Sequence, residues 1–278
     1  AFAFGATSGN TAVGYQAAYN STGGDNTAIG YVAGKSLSSG AYNIVVGPNS
    51  MDNSAGITGG DNVAIGRISM RILTSGNSNT ALGNGALNAV VSGSSNVAVG
   101  YSALSVSTAS NNTAIGYQVG LNNSSGSENV FIGLQSAYYN TTGSNNTSLG
   151  YGAFSSGNGT ANGTGSYNVA IGRDALSLST SGSSNTAVGY EAARNTTTDT
   201  STVAIGHSAL YNNTNGGGGS YNIAIGRSAS YYGSTGAYYN IAIGASAMYG
   251  TSNSKTATFN TAIGNPITPL ATGSYTMG

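Results

Sequence analysis

The groups in this chain best suited to catalysis or recognition are one histidine, seven carboxylates and nineteen tyrosines. His207 directly follows Gly206, at a register that holds Tyr or Arg elsewhere, and reads as a substituted corner residue rather than a base or metal ligand. A Ser–His–acid constellation needs a histidine held between two partners, and one placed in the middle of a repeat offers none. Asp25, Asp61 and Glu128 share a register but lie several repeats apart. Paired carboxylates for acid/base work must come within about 5–10 Å of each other, so these acids read as exposed decoration, as does Arg67. Arg173 and Arg227 sit in the register of Arg67 and His207, which marks that corner as solvent-facing. The stretch Asn215-Gly216-Gly217-Gly218-Gly219-Ser220 lacks the lysine and helix of a phosphate loop and reads as a return connection. Without cysteine, neither a disulfide nor a thiolate metal site is available. The expectation is a non-enzymatic protein with no catalytic residues, metal or cofactor.

Recognition is the other chemistry on offer. Tyr138, Tyr139, Tyr211, Tyr231, Tyr232, Tyr238 and Tyr239 lie in or beside the longer connections, and the longest of these are 52–60, 155–166, 211–220, 231–238 and 251–258. A tyrosine combines an apolar ring with a hydroxyl and can stack on a sugar. The same rings would equally serve to cover coil edges or seams between chains, and both readings stay open. Asn-x-Ser/Thr occurs at Asn20, Asn111, Asn122, Asn140, Asn145, Asn158, Asn162, Asn195 and Asn212, among others. Chance would give roughly eight such acceptors in so Asn-, Ser- and Thr-rich a chain, so they argue only weakly for glycosylation.

What positions these groups is a repeat. The pentapeptide Asn-(Thr/Val/Ile)-Ala-(Ile/Val/Leu)-Gly returns fifteen times, most often 17 residues apart and always between 16 and 22. Its glycines are Gly14, Gly30, Gly47, Gly66, Gly83, Gly100, Gly116, Gly133, Gly150, Gly172, Gly189, Gly206, Gly226, Gly244 and Gly264. A period near 20 residues signals a solenoid whose units bury apolar surface only against their neighbours. The asparagines include Asn26, Asn62, Asn79, Asn96, Asn112, Asn129, Asn146, Asn168, Asn185, Asn222, Asn240 and Asn260, with Thr202 the one departure. Stacked in register they would form an amide ladder, each side chain donating and accepting.

Between Asn and Gly stand a β-branched residue, usually Ala, and then Val, Ile or Leu, the signature of a short strand with alternating faces. The Val/Ile face is expected to fill the coil. Alanine on the opposite face would then mark close approach by another copy of the chain. Glycine at the strand end suits a tight corner. Beyond it come Ala or Ser at the third position and often Met, Leu or Phe at the fourth, as at Met51, Leu87, Leu104 and Phe154. This segment reads as a second strand or a bent extended turn, giving two strands of four or five residues per coil. At about 4.8 Å per stacked strand, fifteen coils would extend on the order of 70 Å.

Composition agrees with such a thread. Charged residues are 5% of the chain, against roughly 25% in ordinary domains, and the net charge is zero. That leaves no basic footprint for nucleic acid. No apolar run approaches the roughly 20 residues that span a bilayer. A chain opening at Ala1 without Met reads as a processed or partial product. Residues 1–264 are assigned to the solenoid and 265–278, broken by Pro266 and Pro269, to a tail or end cap.

The runs Asn62-Val63-Ala64-Ile65-Gly66, Asn96-Val97-Ala98-Val99-Gly100 and Asn168-Val169-Ala170-Ile171-Gly172 are each followed by a small residue three positions on. They resemble the YadA-like head repeats of trimeric autotransporter adhesins and related phage tail fibres. The resemblance extends from about Asn10 to Gly264. It implies a left-handed parallel β-roll, three chains side by side, and attachment at a bacterial or viral surface. The coils here are somewhat longer than typical head repeats, and Tyr follows the glycine at Tyr15, Tyr31, Tyr101, Tyr117, Tyr151 and Tyr190. The residues after the repeats, 265–278, read as neither a heptad stalk nor a membrane anchor.

The expected fold is thus an all-β parallel β-solenoid, and the expected function a structural or adhesive fibre on a cell surface, in the extracellular space or on a virion. Its partners would be copies of itself, most simply in a trimer, and a surface glycan or host receptor. Alternatives are a filament subunit stacking end to end, for which the apolar segment Ala1-Phe2-Ala3-Phe4-Gly5 is suggestive, and a carbohydrate-binding solenoid. An ice-binding solenoid fits less well, because Thr alternates irregularly with Val and Ile in its column.

Overall fold

The computed structural model describes residues 9–156, 163–212, 219–231, 237–249 and 258–264. Residues 1–8, most of the glycine-rich stretch, Tyr232 and the 265–278 tail lie outside the described residues. The described chain is all-β, with fifteen strands of three residues each and no helix. It divides into two compact units, Ala1–Ile132 and Gly133–Gly278. Each is a parallel β-solenoid that contributes one strand per coil, always at the residues between the motif Asn and Gly. The first unit runs from β1 (Thr11–Val13) to β8 (Val130–Ile132) and the second from β9 (Thr147–Leu149) to β15 (Thr261–Ile263). Within each unit, consecutive strands pair in parallel and like positions meet, as in Val63↔Thr80, Ala64↔Ala81 and Ile65↔Leu82.

The strand faces are the reverse of the sequence expectation. The alanines point inward: Ala28, Ala64, Ala81, Ala98 and Ala114 are completely buried within the first unit. The larger branched residues point out, with Ile29 40%, Leu82 46% and Ile115 40% exposed. Coil thickness explains the reversal. The column facing the alanines is itself Ala or Ser (Ala33, Ser50, Ala86, Ala103, all buried), and a gap this narrow admits methyl groups but not isobutyl ones. Alanine therefore marks the inside of the coil, not a seam with another copy.

The segment after each glycine is also not a second strand. Its second and fourth residues take left-handed backbone angles, as in Val32 (φ 59°), Met51 (φ 45°), Ile68 (φ 52°) and Leu87 (φ 49°). A left-handed residue costs roughly 1–2 kcal/mol, and Val32 and Ile68 are β-branched, the least tolerant type. The alternation is held by bonds between coils that point the second and fourth amides in opposite directions. Val32 N donates to Tyr15 O at 2.8 Å, whereas Ala18 N donates to Ala33 O at 3.0 Å. The second amide after the glycine thus pairs with the coil before and the fourth with the coil after, while the third turns back to its own corner glycine, as in Ala33 N→Gly30 O at 3.4 Å, so the local penalty is met largely by long-range pairing.

Larger side chains fill the remaining interior, sometimes two in one coil, as where Met70 is joined by Leu73 and Leu87 by Val90. Met51, Met70, Leu87 and Leu104 in the first unit, and Phe154, Leu176 and Leu210 in the second, are essentially inaccessible. Volumes are traded between positions. Phe131 replaces the strand alanine, and a Cβ on Gly120 would lie 2.9 Å from its ring, so glycine at 120 creates the space that the phenyl ring occupies. Where Ser148 replaces alanine in the second unit, its hydroxyl meets that of Ser136 at 2.5 Å, which keeps the buried oxygens hydrogen-bonded.

Candidate functional site

The asparagines do form a ladder, largely buried, continuous from Asn10 to Asn129 in the first unit and running in two stretches, either side of Thr202, in the second. Asn62 Oδ1 accepts from both Asn79 N (2.9 Å) and Asn79 Nδ2 (3.1 Å). Asn79 Nδ2 also donates to Gly93 O at 2.8 Å, which ties the strand start to the return connection of the next coil. The arrangement repeats through Asn96, Asn112 and Asn129 in the first unit. In the second it joins Asn146, Asn168 and Asn185, and again Asn222, Asn240 and Asn260. Thr202, at the one exception, keeps the backbone half of the link, with its N donating to Asn185 Oδ1 at 3.0 Å.

The corner glycines are required by geometry. At Gly66, φ is +137° and a Cβ would stand 2.4 Å from the Gly83 carbonyl oxygen. Gly100, Gly172 and Gly206 are held in the same way. Sequence reasoning missed a second column of this kind, seven positions before the first. At Gly59 a Cβ would come within 2.0 Å of Gly76 O. The recurrence of Gly23, Gly40, Gly59, Gly76 and Gly93 at that offset is a signal already present in the sequence.

The tyrosines stack mainly on one another. Tyr15 and Tyr31 lie 5.4 Å apart and Tyr101 and Tyr117 5.2 Å apart. In the second unit, Tyr211, Tyr231 and Tyr249 form one column (4.9 and 5.3 Å), and Tyr221, Tyr239 and Phe259 another (5.0 and 5.0 Å). Tyr238 lies tilted beside Tyr239 at 6.4 Å. Within these columns the ring faces already have neighbours, so Tyr211, Tyr231 and Tyr239 offer a ligand edges and hydroxyls more than open faces. Tyr138 and Tyr139 differ. They meet edge to face at 4.5 Å and border a cavity of about 240 Å³ with Gln135, Tyr151, Gly152, Ser155 and Asp174.

His207 is exposed and stacks on Tyr190 at 5.0 Å, a corner residue as expected. Arg173 lies between Tyr151 (5.4 Å) and Tyr190 (5.7 Å) and donates from Nε to Asp174 Oδ2 at 3.2 Å. Asp25, Asp61 and Glu128 are exposed on separate coils, at positions whose backbone is left-handed (φ 58°, 60° and 60°). Burial raises the Asp52 carboxyl pKa above its ordinary value, against the opposing pull of Lys35 and Arg71. Among the glycosylation acceptors, Asn140 and Asn195 are buried, whereas Asn20, Asn111 and Asn145 are exposed. Among the described residues, no group of three or more His, Cys, Asp or Glu side chains could hold a metal ion, and no helix is long and apolar enough to cross a membrane.

The outer strand face is a further surface feature. In each unit it carries two parallel columns, one of Thr, Val and Ile and one of Val, Ile and Leu, with no charged side chain in either. Members range from half-buried to Val13 at 56% exposure in the first unit, and reach 46% at Leu149 and 52% at Ile263 in the second. No family profile, curated protein or solved structure matches the chain.

Proposed function

We propose that this chain is the repeat portion of a non-enzymatic, homo-oligomeric surface fibre whose copies pack through their outer strand faces. The outward apolar face carries this reading. Each strand leaves roughly 100 Å² of apolar surface open, so the eight strands of the first unit present roughly 800 Å², above the ~300–600 Å² patch of a typical monomer. That is also about the area each partner contributes to a standard interface. A like face on a second copy is its natural complement, being flat, uncharged and apolar over the same length. Three copies is the number that the resemblance to adhesin head repeats implies. An extracellular, cell-surface or virion setting, with attachment to a surface glycan or receptor, follows from the same resemblance. The end-to-end filament alternative turns on the chain ends, which lie outside the described residues.

Sedimentation velocity and negative-stain electron microscopy test the proposal, on the wild-type chain and on the triple variant Leu82→Lys, Ile115→Lys, Leu149→Lys. These side chains face outward, so the variant is expected to keep its far-ultraviolet spectrum while its assembly falls apart. A wild-type chain that sediments as a monomer at micromolar concentration refutes the proposal. So does a triple variant that assembles as the wild type does.

A further inference from the structure

The cavity beside Tyr138 and Tyr139 arises from one glycine. The second residue after the corner glycine is a half-buried polar side chain at Gln118 in the first unit and at Gln135, Asp174 and Glu191 in the second, and these form a column. Gly152 interrupts that column between Gln135 and Asp174. With φ at +60° it keeps the column's left-handed backbone, and a Cβ placed there would lie 2.7 Å from Asp174 Oδ1. Asp174 therefore brings one carboxylate oxygen down over the gap while Arg173 Nε holds the other at 3.2 Å. Tyr151 borders the same cavity, and Tyr138 and Tyr139 meet edge to face beside it.

A carboxylate oxygen, a side-chain amide and aromatic rings around a recess of about 240 Å³ meet the requirements of a polyhydroxylated ring. The carboxylate and amide can pair with neighbouring hydroxyls, and a tyrosine ring can pack against the apolar C–H face of a sugar. The recess is smaller than the ~300–1,000 Å³ of drug-sized sites, which limits it to one ring rather than an extended chain. The geometry points to a binding site for a single pyranose at Gly152, with Asp174 and Gln135 as hydroxyl partners and Tyr139 as packing surface. The site adds to the fibre reading without resting on it, since the site is formed by side chains of one chain and its test reads sugar binding rather than assembly.

Saturation-transfer NMR on the full chain, with the methyl glycosides of glucose, galactose, mannose and N-acetylglucosamine as probes, decides the matter. At least one is expected to bind with a dissociation constant on the order of 1–10 mM, the range that small polar ligands reach. Gly152→Gln fills the gap with the residue that the column already accepts at Gln118 and Gln135, and should weaken binding at least about tenfold. Tyr139→Ala, a second route that leaves the column alone, should do the same. Gly85→Gln changes the glycine at this register in the first unit, where Ser102 replaces the acid, and should leave binding intact. The proposal fails if none of the four probes binds, or if both Gly152→Gln and Tyr139→Ala bind as the wild type does.

Discussion

Adding one methyl group at Gly100 tests the stacking geometry most directly. The residue has φ +129°, and a Cβ there would sit 2.2 Å from Gly116 O and 2.7 Å from its carbonyl carbon. Neither neighbour is a movable side chain. Relief requires separating two coils whose backbones are joined on either side by Gly116 N→Val99 O and Gln118 N→Tyr101 O, both 2.8 Å. The backbone conformation alone costs about 1–3 kcal/mol for a residue with a side chain. Forced separation costs about 1–3 kcal/mol, and a stretched ladder bond about 1 kcal/mol. Gly100→Ala should therefore destabilise its coil by about 3–7 kcal/mol. Gly85→Ala is the matched control. Its φ is +70°, and the nearest atom to an added Cβ is the Ser102 hydroxyl at 3.3 Å, so about 1–2 kcal/mol is expected.

A single unfolding midpoint is a poor readout for a stack of repeats, whose cooperativity is local. Hydrogen exchange resolved by coil is the appropriate assay, because protection reports local opening free energy. With every 1.4 kcal/mol equal to tenfold, Gly100→Ala should accelerate exchange about 10²–10⁵-fold across residues 97–116, and Gly85→Ala about tenfold around its own turn. Equal effects of the two substitutions would falsify the claim that corner glycines are set by contact between coils. Loss of protection spread evenly through the first unit would contradict its nearest-neighbour character.

Two further substitutions probe the interior. Asn79→Ala removes the acceptor of Asn96 N and Nδ2 (3.0 and 3.1 Å) and the donor to Gly93 O, so about 3 kcal/mol should be lost at roughly 1–3 kcal/mol per orphaned buried group. Asn79→Thr should cost less, because Thr202 occupies the same register; equal losses in denaturant titrations would refute the ladder's role. Phe131→Ala should cost about 3–5 kcal/mol as a cavity, and Gly120→Leu should recover part of it in the double variant. Leucine at that register already adopts the left-handed backbone at Leu87 and Leu104 (φ 49° and 47°). A double variant less stable than Phe131→Ala alone would show that the two positions do not share one volume.

Much of this architecture was legible because it depends on residue identity. Only asparagine both donates and accepts at the ladder position, and only glycine fits the corner, so each repeats visibly through the sequence. The orientation of the strand was not legible. Alternation with period two shows that Ile65 and Ala64 lie on opposite faces, but not which face is inside. That depends on coil thickness, fixed by the opposing column at Ser50, Ser69 and Ala86 rather than by the strand. The left-handed turns were hidden for another reason. Val32 and Ile68 carry no local preference for positive φ, and their conformation is imposed by amides of neighbouring coils. The tyrosine columns followed the same rule: Tyr221 and Tyr239 are 18 residues apart in sequence but 5.0 Å apart as rings, a contact that only the stacking register reveals. At the candidate sugar site the informative residue is the absent side chain at Gly152, which looks in sequence like any other glycine.

The reversed strand face changes what the repeat implies about association. Had Val and Ile filled the interior, the exposed face would be methyl groups and each unit would be nearly self-sufficient. Instead the strand contributes only Ala28, Ala64, Ala81 and their counterparts to the interior, beside larger side chains such as Met70 and Leu73 from the turns, while the bulkier strand residues face out. A fully buried Val, Leu or Ile is worth about 1.5–3 kcal/mol relative to an exposed one, and here two apolar or Thr columns per unit leave much of that unrealised. The chain also accepts left-handed turns in every coil, each a local cost. With the strand's bulkier residues left outside, covering the outer columns is where further stability is available to offset those turns. This asymmetry, rather than the repeat motif alone, supports the proposal that the working form is an assembly of chains joined along their strands.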